Sequence, residues 1–207
     1  GGDGNDRFYF ATDTYTGDSG ISGVITGGGE NGTTGDLIVG RDVNTTWSVV
    51  PASGNASFTY ANGLLSADAV PVPLVTTTQF TGFESINGGS GDDSFTVGSD
   101  LAADEVLRLN AGTGTNTLTL PDSDQPITLG SAIGGLSVQG FATITAFATR
   151  SNSLTVNSST NDIVTWEVQG ANSGRVQVGS GADWVAFNNF QQLIGGDGND
   201  TFDFNST

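Results

Sequence analysis

The chain has 207 residues, 35% of them hydrophobic, and a formal net charge of −17 at pH 7. All the basic residues are arginines (Arg7, Arg41, Arg108, Arg150, Arg175), scattered along the chain, so neither nucleic acid nor an anionic membrane surface is expected as a partner, and cations are the natural counter-charge. There is no Cys and no His, and no Lys; disulfides, thiolate metal sites and the usual general bases and nucleophiles are thereby excluded.

In chain order, Gly1–Tyr9 opens with a glycine turn, G-G-x-G-x-D-x-F, and a strand is predicted over Phe8–Phe10. Further short strands are predicted at Leu37–Val39, Phe58–Tyr60, Phe95–Val97, Leu107–Leu109, Leu118–Leu120, Phe141–Thr145, Leu154–Val156, Val164–Val168, Val176–Val178, Trp184–Phe187 and Phe202–Phe204. Glycine-rich turns separate them, and good helix formers are scarce. No apolar run approaches the roughly 20 residues needed to span a bilayer, so no membrane insertion is expected.

The opening phrase returns twice, at Gly88–Thr96 and at Gly195–Asp203. Gly1–Phe10 and Gly195–Phe204 read GGDGNDRFYF and GGDGNDTFDF, so the segment is expected to continue into further copies at both ends. Phe80–Gly89 matches Phe187–Gly196 position for position in its apolar residues, and Thr46-Trp47-Ser48-Val49 resembles Thr165-Trp166-Glu167-Val168. Ala67–Val75, with Pro71 and Pro73, reads as an insertion in the first copy. Within these copies, Gly88–Val97 matches Ala111–Leu120, and Asp6–Phe10 matches Asp36–Gly40, the spacing of coils of roughly 20–30 residues. The fold class expected is all-β, a right-handed parallel β-solenoid (β-helix) across residues 1–207. Sub-repeats are expected at about 1–87 and 88–194, with 195–207 opening the next. Phe8, Phe95 and Phe202, two residues after each motif Asp, are expected in equivalent, buried positions.

At these residues the sequence resembles the long repetitive surface proteins and adhesins of Gram-negative bacteria that carry haemolysin-type, RTX-like calcium motifs. The resembling phrase is a Trp strand (Thr165–Val168), an Asn-Ser-Gly turn (Asn172–Gly174), then Phe187–Phe204, with the G-x-G-T-N-T-L element seen at Gly112–Leu118. It covers most of the chain, and residues 121–150 match it poorly. The resemblance implies a secreted, elongated, non-enzymatic scaffold at the bacterial cell surface, an adhesin or biofilm-matrix filament, with structural Ca²⁺.

Calcium takes hard oxygen ligands, and in a β-roll it lies between two stacked turns. The candidate metal ligands are Asp3, Asn5, Asp6 and Asp36 at one end, Asp92 and Asp93 in the middle, and Asp197, Asn199 and Asp200 at the other end. Thr115-Asn116 is the neutral partner expected opposite Asp92-Asp93. Asn and Asp in such turns also cap backbone amides, which needs no metal. No catalytic residues are assigned: without His, Lys or Cys only carboxylate pairs such as Asp92-Asp93 or Asp122-Asp124 are left, and solvated turn carboxylates account for them. The alternative is a carbohydrate-binding or polysaccharide-degrading β-helix, in which Trp47, Trp166, Trp184, Tyr15 and Tyr60 would stack on surface glycans. The partners expected are neighbouring copies of the chain, end to end.

Overall fold

The computed structural model describes residues 2–9, 24–28, 35–40, 42, 44–49, 64–67, 79–98, 101, 106–122, 124, 126–130, 135–159, 162–179 and 182–204. Among them every regular element is a strand: β1 (Arg7–Tyr9), β2 (Val24–Thr26), β3 (Leu37–Val39), β4 (Thr45–Val49), β5 (Leu64–Ala67), β6 (Gln79–Thr81), β7 (Ser85–Asn87), β8 (Ser94–Val97), β9 (Val106–Asn110) and β10 (Thr117–Thr119). The second half holds β11 (Ile127–Leu129), β12 (Gly135–Gln139), β13 (Thr143–Thr145), β14 (Ser153–Val156), β15 (Ile163–Gly170), β16 (Ser173–Val178), β17 (Val185–Asn188), β18 (Gln192–Ile194) and β19 (Asn199–Phe204). The expected strand Phe58–Tyr60 and nearly all of the expected insertion after Ala67 lie outside the described residues.

Two large sheets share one core. The first has eight strands, all parallel, in the order β1-β3-β7-β9-β12-β11-β14-β18. Its register lines up apolar residues in columns: Phe8, Ile38, Ile86, Leu109, Val138, Leu129 and Val156 form one. Leu107, Leu136, Ile127, Leu154 and Leu193 form the next. The order departs from chain order once, where β12 sits between β9 and β11. The second sheet has nine strands, β19-β15-β16-β17-β13-β10-β8-β4-β5, and a small sheet pairs β2 with β6.

Burial alternates along the strands, as in Ser94–Val97 and Val106–Asn110, because successive side chains point to opposite faces. One face of each sheet lies on the core and the other on solvent. Parallel sheets in α/β proteins are covered on both faces by helices; among the described residues no helix does this. The core is built of Ile38, Trp47, Phe80, Phe83, Ile86, Phe95, Leu107, Leu118, Ile144, Leu154, Trp166 and Phe187 with their neighbours.

Five strands have counterparts. From β19 the second sheet runs β15, β16, β17, β13; from β8 it runs β4 and β5, where it ends, and the counterparts of β17 and β13, β6 and β2, pair in the separate small sheet. Register confirms the equivalence. Trp47 lies opposite Phe95 and Leu65, as Trp166 lies opposite Phe202 and Val176. Ile25 faces Phe80 as Ile144 faces Phe187. Trp47 and Phe95 stack with centroids 5.5 Å apart at 7°, and Trp166 and Phe202 stack at 5.7 Å and 2°. Each Trp also meets a second Phe edge-on, Phe80 at 6.1 Å and Phe187 at 5.8 Å. Each of these Phe residues meets a third in turn, Phe83 and Phe190. β10 belongs to neither copy and pairs with β8 on one side and β13 on the other.

The strand pairings reproduce both short offsets read from the sequence, Phe8 opposite Ile38 and Phe95 opposite Leu118. The equivalence of the three motif phenylalanines needs correction. Phe95 is fully buried, Phe202 is 39% exposed, and Phe8 is half-buried. Phe8 lies in the first sheet, whereas Phe95 and Phe202 lie in the second. The glycine phrase specifies a turn followed by a strand; which sheet receives that strand depends on the neighbours it meets.

Candidate functional site

The turns that carry the candidate ligands have a common backbone. Gly4, Gly91, Gly114 and Gly198 have φ of 126°, 132°, 124° and 131°, a region that side chains bearing a Cβ avoid. Ala111–Leu120 is therefore a further, degenerate example of the same turn. The first motif glycine has a different reason. A Cβ on Gly88 would overlap Asp93 Oδ2, and one on Gly195 would overlap Asp200 Oδ2. The motif aspartate folds back over the glycine that opens its own turn. In the first example Asp6 Oδ2 accepts the Gly2 N–H at 2.8 Å.

Neighbouring turns are tied by side-chain oxygens accepting backbone amides, in two columns running in opposite senses. In one, Asp92 N–H donates to Asn44 Oδ1 (2.8 Å) and Thr115 N–H donates to Asp92 Oδ1 (2.7 Å). In the other, Thr45 N–H donates to Asp93 Oδ1 (2.8 Å) and Asp93 N–H donates to Asn116 Oδ1 (2.7 Å). Asn116 Nδ2 continues that column by donating to Gly140 O at 2.9 Å. Asn116 is fully buried and Asp93 is 1% exposed, so these bonds are shielded from water.

A second ladder lies where strands of the first sheet begin. Asp6 N–H donates to Asp36 Oδ1 (2.7 Å), and Asp36 N–H donates to Glu84 Oε2 (2.6 Å). The second copy has the same bond in uncharged form: Asn152 N–H donates to Gln191 Oε1 at 2.7 Å. Asn152 also donates through Nδ2 to Phe147 O (2.8 Å) and Asn189 O (3.1 Å). One copy thus holds a buried carboxylate pair where the other holds an amide pair, Asn152 buried and Gln191 exposed.

The structure brings Asp6 beside Asp36, and sets Asp92 and Asp93 against Thr115 and Asn116. Asp3, Asn5, Asp197 and Asn199 are exposed, and Asp200 is half-buried. Asn44 and Asn152 were not singled out by the sequence reading, and neither was Glu84. Its signal was the match of Glu84 to Gln191, each just before a strand, in two copies otherwise aligned on apolar positions. Asp122 and Asp124 are engaged elsewhere: Asp122 pairs with Arg150 at 2.6 Å, and Asp124 Oδ1 accepts the Ser151 N–H at 2.9 Å.

Among the buried carboxylate oxygens that accept no hydrogen bond are three of candidate ligands, Asp36 Oδ2, Asp93 Oδ2 and Asp200 Oδ1. Asp36 Oδ2 and Gly82 O both press against Gly27, and Asp93 Oδ2 and Ala111 O both press against Gly88, where an added Cβ would overlap them. Each glycine thus has one carboxylate and one carbonyl oxygen beside it, donors of the type calcium takes but fewer than its usual six to eight. Among the described residues no three acidic side chains converge on one point.

No family model matches the chain, and no curated protein or solved structure shows a significant match to it.

Burial pushes the Asp93 carboxyl up to about 6 from 3.8; the hydrogen bonds from Thr45 oppose this, and the charge of Asp92 adds to it. The folded chain thus holds this proton more tightly than the unfolded chain does. The stability it contributes is complete below about pH 4 and is lost as the pH rises through about 6. A protonated Oδ2 has Ala111 O beside it, as Asn116 Nδ2 has Gly140 O. Asp93→Asn is therefore expected to be more stable than the parent at pH 7, by on the order of 1 kcal/mol after solvent screening. Denaturant unfolding at pH 4, 5, 6 and 7 measures it. Parent and variant curves that stay parallel across that range would refute the assignment.

Proposed function

We propose that this chain is a structural segment of an extracellular bacterial surface or matrix protein. In this reading it is a right-handed parallel β-solenoid whose work is mechanical: an extended, soluble rod for adhesion or filament formation, without catalysis. The observation that carries the reading is the recurrence of the Trp-bearing strand between corresponding neighbours, β8-β4-β5 and β19-β15-β16, with the same register and the same Trp–Phe stack. Repetition along one direction, with nearest-neighbour contacts only, is how solenoids gain length. One-sided burial of a parallel sheet with no helical cover also favours it. The high negative charge keeps such a rod soluble and discourages lateral association. Neighbouring copies are the partners proposed.

Calcium has a structural role in this proposal. Asp36 with Gly82 O, and Asp93 with Ala111 O, would each supply two ligands, with water completing the shell. Asp3, Asp6 and Asp92 add negative charge near these turns and Asn5 a neutral oxygen, while Asp197, Asn199 and Asp200 are the candidate ligands of the third motif. A site of that kind falls in the weak extracellular range, a Kd of about 10⁻⁴–10⁻³ M. At about 10 mM calcium and a millimolar Kd the gain is about 1.4 kcal/mol per site. A modest rise in melting temperature, saturating in the millimolar range, is expected; identical melting curves in chelator and in 10 mM calcium would leave the motifs as plain glycine turns. Electron microscopy of purified material tests the rod itself. Elongated particles of uniform width are expected, and compact isometric particles would overturn the reading.

A further inference from the structure

We infer that the outer edge of β19 is a docking edge for one kind of strand: a parallel strand of the β10 type, an aliphatic side chain between two threonines, delivered by a G-x-G-x-N turn. The inference rests on the rod reading and specifies its joint. β8 and β19 are equivalent, each with a Trp-bearing strand in parallel register on one side. On its other side β8 is covered by β10, with Leu118 opposite Phe95 and Phe141 edge-on to the same ring at 5.3 Å. Phe95 and Val97 are then 0% and 1% exposed. No strand among the described residues lies on the other side of β19, and the equivalent Phe202 and Phe204 are 39% and 73% exposed. An open strand edge beside exposed aromatic rings is a template for another strand.

The last strand of the five asks for the same partner. β2 is equivalent to β13, and the second neighbour of β13 is again β10, with Leu118 opposite Ile144. Inside this chain a single strand therefore joins one copy to the next, and the same strand type would complete both β19 and β2. Charge narrows the choice. With Leu118 placed opposite Phe202, an Asn falls opposite Asp200 and a Thr opposite Asp203, as Asn116 falls opposite Asp93. A motif strand would instead set carboxylates against both Asp200 and Asp203, in the case of β19, or against Asp200 alone, in the case of β1. Either arrangement is less favourable than the neutral Asn116 that β8 has opposite Asp93, although Asp6 does stand against Asp36 between β1 and β3. Copies are thus joined through an interposed neutral strand, and do not abut directly.

The test replaces Asn205–Thr207 of the chain with the sequence of Gly98–Leu120, which follows Val97 at the equivalent point. Amide hydrogen exchange along β19 is compared in the parent, the extended chain, and the extended chain with Asp in place of the duplicated Leu118. At least tenfold slower exchange at β19 is expected in the extended chain, lost in the Asp variant, with unchanged protection at β8 showing that the rest of the fold is intact. Unchanged exchange at β19 on extension would overturn the inference. So would a parent that self-associates on sedimentation with β19 already protected, since copies would then abut directly. Because exchange is read on single molecules, particle shape in the microscope decides the rod reading separately.

Discussion

Phe95→Ala is expected to lower stability by about 3–5 kcal/mol, the range for emptying a fully buried aromatic site. Its ring lies flat against Trp47 and edge-on to Phe141, and Leu118 faces it from the next strand, so the neighbours are fixed from three directions and collapse little into the void. The matched change Phe202→Ala removes the same stack from Trp166, but from a ring that is 39% exposed, and about 1–2 kcal/mol is expected. Denaturant titration of both variants against the parent measures the difference. Equal losses would mean that the two copies are packed alike and that the equivalent strand of the second copy is already covered.

Gly112→Ala is expected to cost more than about 3 kcal/mol. Gly112 has φ of 82°, which alone costs a residue with a Cβ about 1–2 kcal/mol. The added methyl would also overlap the carbonyl oxygen of Gly89, on the neighbouring turn, which accepts the Thr113 N–H. Two backbones must separate to admit it, and the turn columns beside Asp92 and Asp93 separate with them. Gly179→Ala is the control: its φ is 78°, yet nothing lies within 4 Å of the new methyl, so only the backbone cost of about 1–2 kcal/mol is expected. Thermal melts of the pair give the comparison; similar melting temperatures would show that close approach of the turns is not a constraint.

Much of this architecture is legible in the sequence because each pairing brings like residues together. Phe8 against Ile38, Phe95 against Leu118 and the two Trp strands all follow from matching short apolar patterns. Three-residue strands with little apolar content escape that reading: β7 offers only Ile86, and β18 has Leu193 and Ile194 directly before the glycine turn. β12 escapes because its place between β9 and β11 breaks chain order. The exposure of Phe202 is not local information, since it depends on which strand lies beside β19. At the turns, composition correctly marks Asp6, Asp36, Asp92 and Asp93 as neighbours across strands. It does not reveal that one oxygen each of Asp36, Asp92 and Asp93 is taken by an amide of a neighbouring turn, nor that Glu84 joins the Asp6–Asp36 ladder, because the acceptor is chosen by how the turns stack.

The amide-to-oxygen columns join residues 23, 30 and 48 positions apart: Asp93 to Asn116, Asp6 to Asp36, Thr45 to Asp93. Closing a loop costs only about 0.6 kcal/mol more for each doubling of its length. The entropic barrier to adding any one of these strands is thus nearly the same wherever along the chain folding begins. No distant closure has to wait for the whole chain, and either set of the five counterpart strands is able to serve as the nucleus on which the other is laid down during synthesis.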